Sequence, residues 1–381
     1  MGKFIPLSVP NLKGNELEYI TNAIETEWVS TAGPYISDFE KNIASYVGTQ
    51  EAIACQNGTA GLHLALLVCG VTEEDIVIVP TLTFIAAVNP VKYIGAEPLF
   101  MDCDDSLTMD PLKLEKFCDT ECDFIEGKLI DRSSGKHIKA IVIVHVFGNM
   151  ADMERIVNIA NKYHIKLIED ATEALGSYYT SGLYQGKYAG TIGDIGVYSF
   201  NGNKIITTGG GGMIVSNNQE YLDRSRYLST QAKNDILYFV HDEVGYNYRM
   251  TNLQAALGLA QLEQLEKFIS TKRENYFEYK KQGLLLLGFR EDIRPNYWFY
   301  SYITDYRDAV LQFMERSSIQ ARPIWKLIHT LQPYKGARAY RIEKAYYYYD
   351  HVLNIPCSSN LSKEDVEFVV DTIKGYGEEK Q

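Results

Sequence analysis

Apolar positions along this chain follow two spacings, and the two alternate. Stretches with apolar residues three or four apart predict helices over 16–25, 58–69, 85–93 and 153–163. Short runs rich in Val, Ile and Leu predict strands over 52–55, 76–79, 98–101, 140–144 and 166–168, with another over 197–200. Such alternation puts helices against a largely parallel sheet, so the expected fold class is α/β. The stretch 125–137, centred on Asp131, Ser133, Ser134 and Gly135, reads as an inserted hairpin. Leu253, Leu257, Ala260 and Leu265 stand near helical spacing and predict one long helix over 251–268. Beyond it, a strand is expected over 298–303 and a last helix over 362–374, with Ser362 and Asp365 placed as a capping box. The expected division is a large domain over 1–250, N-terminal segment included, a helical connection over 251–287 and a small α/β domain over 288–381.

Three segments carry candidate chemistry. The first, SFNGNKIITTGGGGM over 199–213, sets Lys204 between a predicted strand and the glycines Gly209 to Gly212. A lysine amine forms a Schiff base with an aldehyde cofactor once its surroundings favour the neutral form. Glycines let backbone come close to a bulky ligand, although a glycine run also makes a plain loop beside a solvated lysine. The second, IKLIEDATEALGS over 165–177, ends a buried strand on Glu169 and Asp170. Ligands of open α/β sheets bind beyond the carboxyl ends of strands, where a carboxylate can pair with a protonated pyridine nitrogen. An acidic helix cap is the alternative for Asp170. The third, NGTAGLHLALL over 57–67, reads as a turn into a helix whose Gly58, Thr59 and Ala60 N–H groups suit an anion. It matches neither a Walker loop nor GxGxxG.

Together these segments resemble the DegT/DnrJ/EryC1/StrS sugar aminotransferases, which have the aspartate aminotransferase fold and use pyridoxal 5′-phosphate (PLP). The resemblance also runs through NELEYITNAIETEWVSTAGPYISDFE, PTLTFIAAVNPVKYIGAEPLFMDCD, HVFGN, GYNYRMTNLQAALGLAQLE and RPIWKLIHTLQPYKGA, nearly the whole chain. It implies that Lys204 anchors the cofactor and carries the proton. Asp170 would pair with the pyridine nitrogen, Glu173 would stand near the phenolic oxygen and Phe84 would stack on the ring. Gly58, Thr59 and Ser199 would hold the phosphate, Ala60 and Asn201 would also contact the cofactor, and Asn247 would reach the phosphate of a second subunit in a homodimer. Thr31, Lys233, Arg249 and His329 would touch substrate. The implied reaction moves an amino group from L-glutamate, which leaves as 2-oxoglutarate, to a nucleotide-linked keto sugar. RYLSTQAKNDILYFVHDEVGYNYRM and TTGGGGM look most like the branch that aminates UDP-4-keto-6-deoxy-N-acetylhexosamines for bacillosamine and legionaminic acid. Two departures stand out: Gly209 to Gly212 replace the frequent GEGG, and Glu173 replaces a frequent Gln or His. A dTDP- or GDP-keto-sugar aminotransferase is the nearest alternative. A PLP-dependent sugar dehydratase would carry histidine in place of Lys204, and a PLP-binding regulator would need an extra DNA-binding domain.

Composition narrows the classes further. A net charge of −12 argues against nucleic-acid binding. The six cysteines form no CxxC pair and no zinc set, which suits free thiols in a reducing cytoplasm and no metal centre. The opening MGKFIPLSVP has no apolar signal core, and no stretch is long enough to span a membrane. Tyr346 to Tyr349 read as packing with wet hydroxyls, and the role of His145 stays open.

Overall fold

The computed structural model describes residues 3–235 and 237–378, so Met1 and Gly2 of the opening segment lie outside the described residues. The chain begins with α1 (Glu16–Glu25), α2 (Pro34–Val47), β1 (Glu51–Cys55), α3 (Gly58–Val68), β2 (Asp75–Pro80), α4 (Asn89–Ile94) and β3 (Glu97–Met101). It continues through α5 (Pro111–Glu121), β4 (Cys122–Ile125), β5 (Lys128–Asp131), β6 (His137–Val144), α6 (Met153–Tyr163), β7 (Lys166–Asp170), β8 (Tyr178–Tyr179), β9 (Ile195–Ser199), β10 (Gly212–Ser216) and α7 (Gln219–Ser229). A hairpin of β11 (Lys233–Asp235) and β12 (Val240–His241) precedes α8 (Asn252–Leu262) and α9 (Leu265–Lys281). The rest comprises β13 (Ile293–Arg294), β14 (Tyr300–Ile303), α10 (Arg307–Arg316), β15 (Arg322–Pro323), β16 (Ala339–Tyr340), α11 (Lys344–His351), β17 (Val352–Ile355) and α12 (Lys363–Glu378).

The main sheet runs in the order β1-β10-β9-β7-β6-β2-β3-β16. Its interior neighbours pair in parallel, and β10 alone on this path runs antiparallel to both of its neighbours. Every residue of β2 and β10 is buried, as expected for strands covered on both faces. The carboxyl ends of β1, β6, β7 and β9 therefore share one edge, where crossover loops leave room for a ligand.

A second sheet, β14-β17-β15, forms the C-terminal body with α10 and α12. Residues at the start of the chain hydrogen-bond to this body. Ile5 N–H donates to Ser318 O at 3.0 Å, Gln320 N–H to Ile5 O at 2.8 Å and Cys357 N–H to Leu7 O at 2.8 Å. The two bodies are tied where Asp102, just beyond β3, accepts the N–H groups of Glu343, Lys344 and Ala345 at 2.9, 3.0 and 2.9 Å. That carboxylate caps the first turn of α11, where N–H groups have no intrahelical partner.

Three local differences from the sequence reading have physical reasons. The helix expected over 85–93 splits into a 3₁₀ turn (Ile85–Ala87) and α4, because Pro90 has no N–H to continue the ladder. The helix expected over 251–268 ends at Leu262, and a second one starts at Leu265. No Pro or Gly sits at this break. Instead α8 packs on α1 and α2 while α9 packs on α12, and Glu263 between them is drawn to Asn15 at 2.8 Å and Tyr19 at 2.6 Å. Tertiary packing thus overrides local helix continuity. The hairpin turns earlier than expected, at Glu126 (φ 50°) and Gly127 (φ 76°), a pair of left-handed residues that suits a two-residue turn. A second turn then feeds β6, where His137 faces Ile130. The final helix is capped as expected, Asp365 N–H donating to Ser362 Oγ and Ser362 N–H to Asp365 Oδ2, both at 3.1 Å.

Candidate active site

A cavity of about 360 Å³ opens at the carboxyl edge of the main sheet. Into it project Asp170 from the end of β7, Glu173 from the following loop and Lys204 from the loop after β9. Strand alternation decides which of the two adjacent acids enters. Asp170 lines the cavity, whereas Glu169 points away and accepts the N–H groups of Gly190 and Ile192 and the imidazole Nε2–H of His145 at 2.8 Å. His145 Nδ1 accepts from Ala151 N–H at 3.2 Å, which assigns the proton to Nε2. His145 therefore has a packing role beneath the site.

Lys204 is nearly enclosed, with its side chain 12% exposed. A backbone bond from its N–H to Asn201 O at 3.0 Å fixes the turn that carries it. Its Nζ lies 3.8 Å from Glu173 Oε1 and 4.3 Å from the centre of the Trp298 ring. Burial pulls the amine below its ordinary pKa, and Glu173 and Asp170 pull the other way. Burial also pushes the Glu173 carboxyl up to about 7, against the pull of Lys204 and a 2.8 Å bond from Phe147 N–H to its Oε2. The Asp170 carboxyl is raised by burial too, opposed first by hydrogen bonds from Thr172. One oxygen of Asp170 accepts Thr172 N–H at 3.0 Å.

The opposite wall starts α3. Asn57 caps this helix, its Oδ1 accepting Ala60 N–H at 2.8 Å. The cap consumes the Ala60 donor, so Ala60 is buried behind the site, and Gly58 and Thr59 line the cavity. At Gly58 a Cβ would lie 2.9 Å from Ser199 Cβ and 3.0 Å from Thr172 Cγ2. The glycine run plays a different part from the one expected. Gly212 pairs with Cys55 in the sheet, and a Cβ there would lie 2.7 Å from the Asn57 carbonyl carbon. The run thus lets β10 pass close behind the 57–58 turn. Aromatic residues close the remaining side. Trp298 stacks on Phe299 at 4.1 Å, and Phe147 lies 4.7 Å from Trp325. Trp298 Nε1–H donates to Asn203 O at 2.7 Å, holding the loop that carries Lys204.

Comparison with known proteins decides the class. Residues 10–374 match the DegT/DnrJ/EryC1/StrS aminotransferase family. The chain belongs to this family. A GDP-perosamine synthase of Escherichia coli O157:H7 is 39% identical, covering 99% of this chain and 100% of that one. A UDP-4-amino-4,6-dideoxy-N-acetyl-beta-L-altrosamine transaminase of Campylobacter jejuni is 29% identical, covering 97% and 96%. The structure of a DegT/DnrJ/EryC1/StrS aminotransferase from Brucella abortus superimposes with a TM-score of 0.87 at 26% identity, covering 95% of each chain. DegT/DnrJ/EryC1/StrS enzymes are PLP-dependent sugar aminotransferases, and so is this protein.

Of the residues singled out in the sequence, the cavity of this family member gathers Gly58, Thr59, Phe84, Asp170, Glu173, Ser199, Asn201 and Lys204. Asn247 is exposed and lies outside it, bridged to Thr230. The four expected substrate contacts also lie outside the lining of this cavity. Thr31 is exposed, and Lys233 sits on the hairpin with its Nζ 4.8 Å from the Phe239 ring centre. Arg249 is held by Glu40 at 2.6 Å, an ion pair beneath β1. His329 bridges Thr81 at 2.6 Å and Tyr346 at 3.0 Å, so it packs α11 against the large domain. Asn57, Thr83, Thr172, Asn203, Trp298, Phe299 and Trp325 line the cavity without having been singled out as site residues. Trp298 and Phe299 lie more than twenty residues before Trp325, and the fold brings all three to one cavity. Among the described residues no His, Cys, Asp and Glu group could hold a metal, and all six cysteines are free and buried.

Proposed function

We propose that this enzyme transfers an amino group from L-glutamate to C4 of a nucleotide-linked 4-keto-6-deoxy sugar, with the UDP-linked 2-acetamido sugar as its substrate. The convergence of Lys204, Asp170 and Glu173 in one cavity carries the amino-transfer reading. The resemblance of the 226–250 segment to UDP-sugar enzymes and the UDP-linked amino sugar in the name of the Campylobacter relative support the nucleotide. A second reading, a GDP-linked sugar, is supported by the GDP-perosamine synthase at 39% identity.

The residues fit PLP chemically. Gly58 and Thr59 at a helix N-terminus, with Ser199 and Asn201, form a donor set for a phosphate. The space that a Cβ at Gly58 would fill is part of this cradle. Asp170 has one oxygen tied by Thr172 and would meet the pyridine nitrogen with the other. Phe84, partly exposed over the cavity, would cover the ring. When bound, PLP supplies the electron sink that stabilises a carbanion next to nitrogen. Lys204 takes a proton on Nζ from one carbon and returns it to another, a service worth roughly 10²–10⁴ in rate. The aromatic wall of Trp298, Phe299 and Trp325 keeps water from the reacting carbons.

We also infer a homodimer, supported by exposed Leu237, Tyr238 and Phe239 on the β11–β12 hairpin and by the exposed position of Asn247. A cytoplasmic location is supported by the six free thiols. Among the described residues no helix is long and apolar enough to cross a membrane.

The test loads the enzyme with amine by adding glutamate and then mixes it, in single turnover, with UDP-, GDP- or dTDP-linked keto sugars. Return of the original cofactor absorbance with the UDP sugar alone supports the first reading. Return with the GDP sugar alone establishes the second. Silence with glutamate and with every sugar contradicts amino transfer.

A further inference from the structure

The Lys204 amine has two neighbours of different kinds, and each is locked in place. Glu173 Oε1 lies 3.8 Å from Nζ while Oε2 of the same carboxyl is held by Phe147 N–H at 2.8 Å. The Trp298 ring centre lies 4.3 Å from Nζ. Its indole is fixed by Nε1–H to Asn203 O at 2.7 Å, and its backbone N–H by Asn296 Oδ1 at 3.0 Å. Asn296 also bonds Glu173 O at 2.9 Å, so the two neighbours are braced against one another. A carboxylate and the face of an indole both favour an ammonium over a neutral amine.

Resting on the reading of Lys204 as anchor and proton carrier, we propose that Glu173 and the Trp298 face form a cradle for the protonated Lys204 amine. The cradle holds the amine charged and aimed into the cavity between taking a proton and giving it back. The proton count balances, because the amine gains one proton as ammonium and loses the same one. Burial pulls the amine below its ordinary pKa, and Glu173 opposes that pull. The other charged group facing Nζ is Asp170. In the loaded enzyme Asp170 would meet the pyridine nitrogen, which leaves Glu173, ionised above about pH 7, to balance the ammonium. His145 also faces Asp170, but its Nε2–H is bound to Glu169. Glu173 and Trp298 act through Lys204 and are positioning residues.

The experiment removes PLP from the full-length protein, adds it back and follows its covalent capture by absorbance as pH is varied. Capture needs the neutral amine, so the pH midpoint reports how strongly Lys204 holds its proton. Glu173→Gln should move the midpoint down by about one unit or more. Trp298→Leu should move it down by less, and Trp298→Phe, which keeps a ring face, should stay near the parent. Both Trp298 variants lose the indole bond to Asn203, so a purely structural role would affect them alike. An unmoved midpoint in Glu173→Gln overturns the cradle, as do equal shifts in the two Trp298 variants. Should Glu173→Gln not fold, the Trp298 pair decides by itself. If the parent protein captures no PLP at any pH, the anchor reading falls first and the cradle with it.

Discussion

Glu169 and Asp170 are adjacent in the chain and face opposite sides of the sheet, one building the wall and the other the site. Asp170 lines the cavity, while Glu169 is wholly buried against His145 and the 190–193 loop. Glu169→Ala leaves buried donors unpaired and should cost about 3–5 kcal/mol. Urea unfolding of the parent and variant measures this, and an unchanged midpoint would show that the loop finds other acceptors.

Asp170→Asn keeps the shape of the side chain and removes its charge. A hydrogen bond to a charged group is worth about 1.5–3 kcal/mol, so PLP retention should weaken roughly 10- to 100-fold. Equilibrium dialysis against free PLP provides the number. Retention equal to the parent would remove Asp170 from the pyridine nitrogen.

Gly58→Ala introduces a Cβ 2.9 Å from Ser199 Cβ, closer than the two carbons can stay. Ser199 or the start of α3 must shift, at about 1–3 kcal/mol. We expect both a lower melting temperature and about tenfold weaker PLP binding. A variant that loses stability but binds PLP normally would separate the turn from the phosphate.

Glu173 gives the cofactor-free protein a pH-dependent stability. In the folded protein the carboxyl holds its proton up to about 7, whereas the ordinary value is 4.5. Unfolding therefore releases a proton between these values, and stability falls as pH rises through that window. The loss amounts to about 3 kcal/mol in all, fully absent below the lower value and fully present above the upper one. Glu173→Gln should flatten this part of the stability–pH curve, as measured by urea unfolding at a series of pH values.

The parts legible in the sequence share a cause. Helices 16–25 and 153–163 coincide with α1 and α6, because each is set by its own apolar periodicity. Lys204 and Asp170 were legible as residues of one cavity because residue type and position at a strand end single them out. Residues whose role depends on distant segments were not. Trp298 acts only once β13 and the Asn296 turn bring it beside Asn203, and Arg249 is fixed by Glu40, far from it in sequence. The N-terminal segment gives no local sign that it pairs with Ile319 and Cys357. The break at Glu263 likewise arises from two packing partners rather than from any residue at the break.

The most direct test of the account is to reduce the purified, PLP-loaded protein with borohydride, digest it and locate the retained cofactor mass by peptide mass spectrometry. The account predicts that mass on Lys204 and its loss in Lys204→Ala. Retained cofactor on any other lysine, or none in the parent protein, would contradict it.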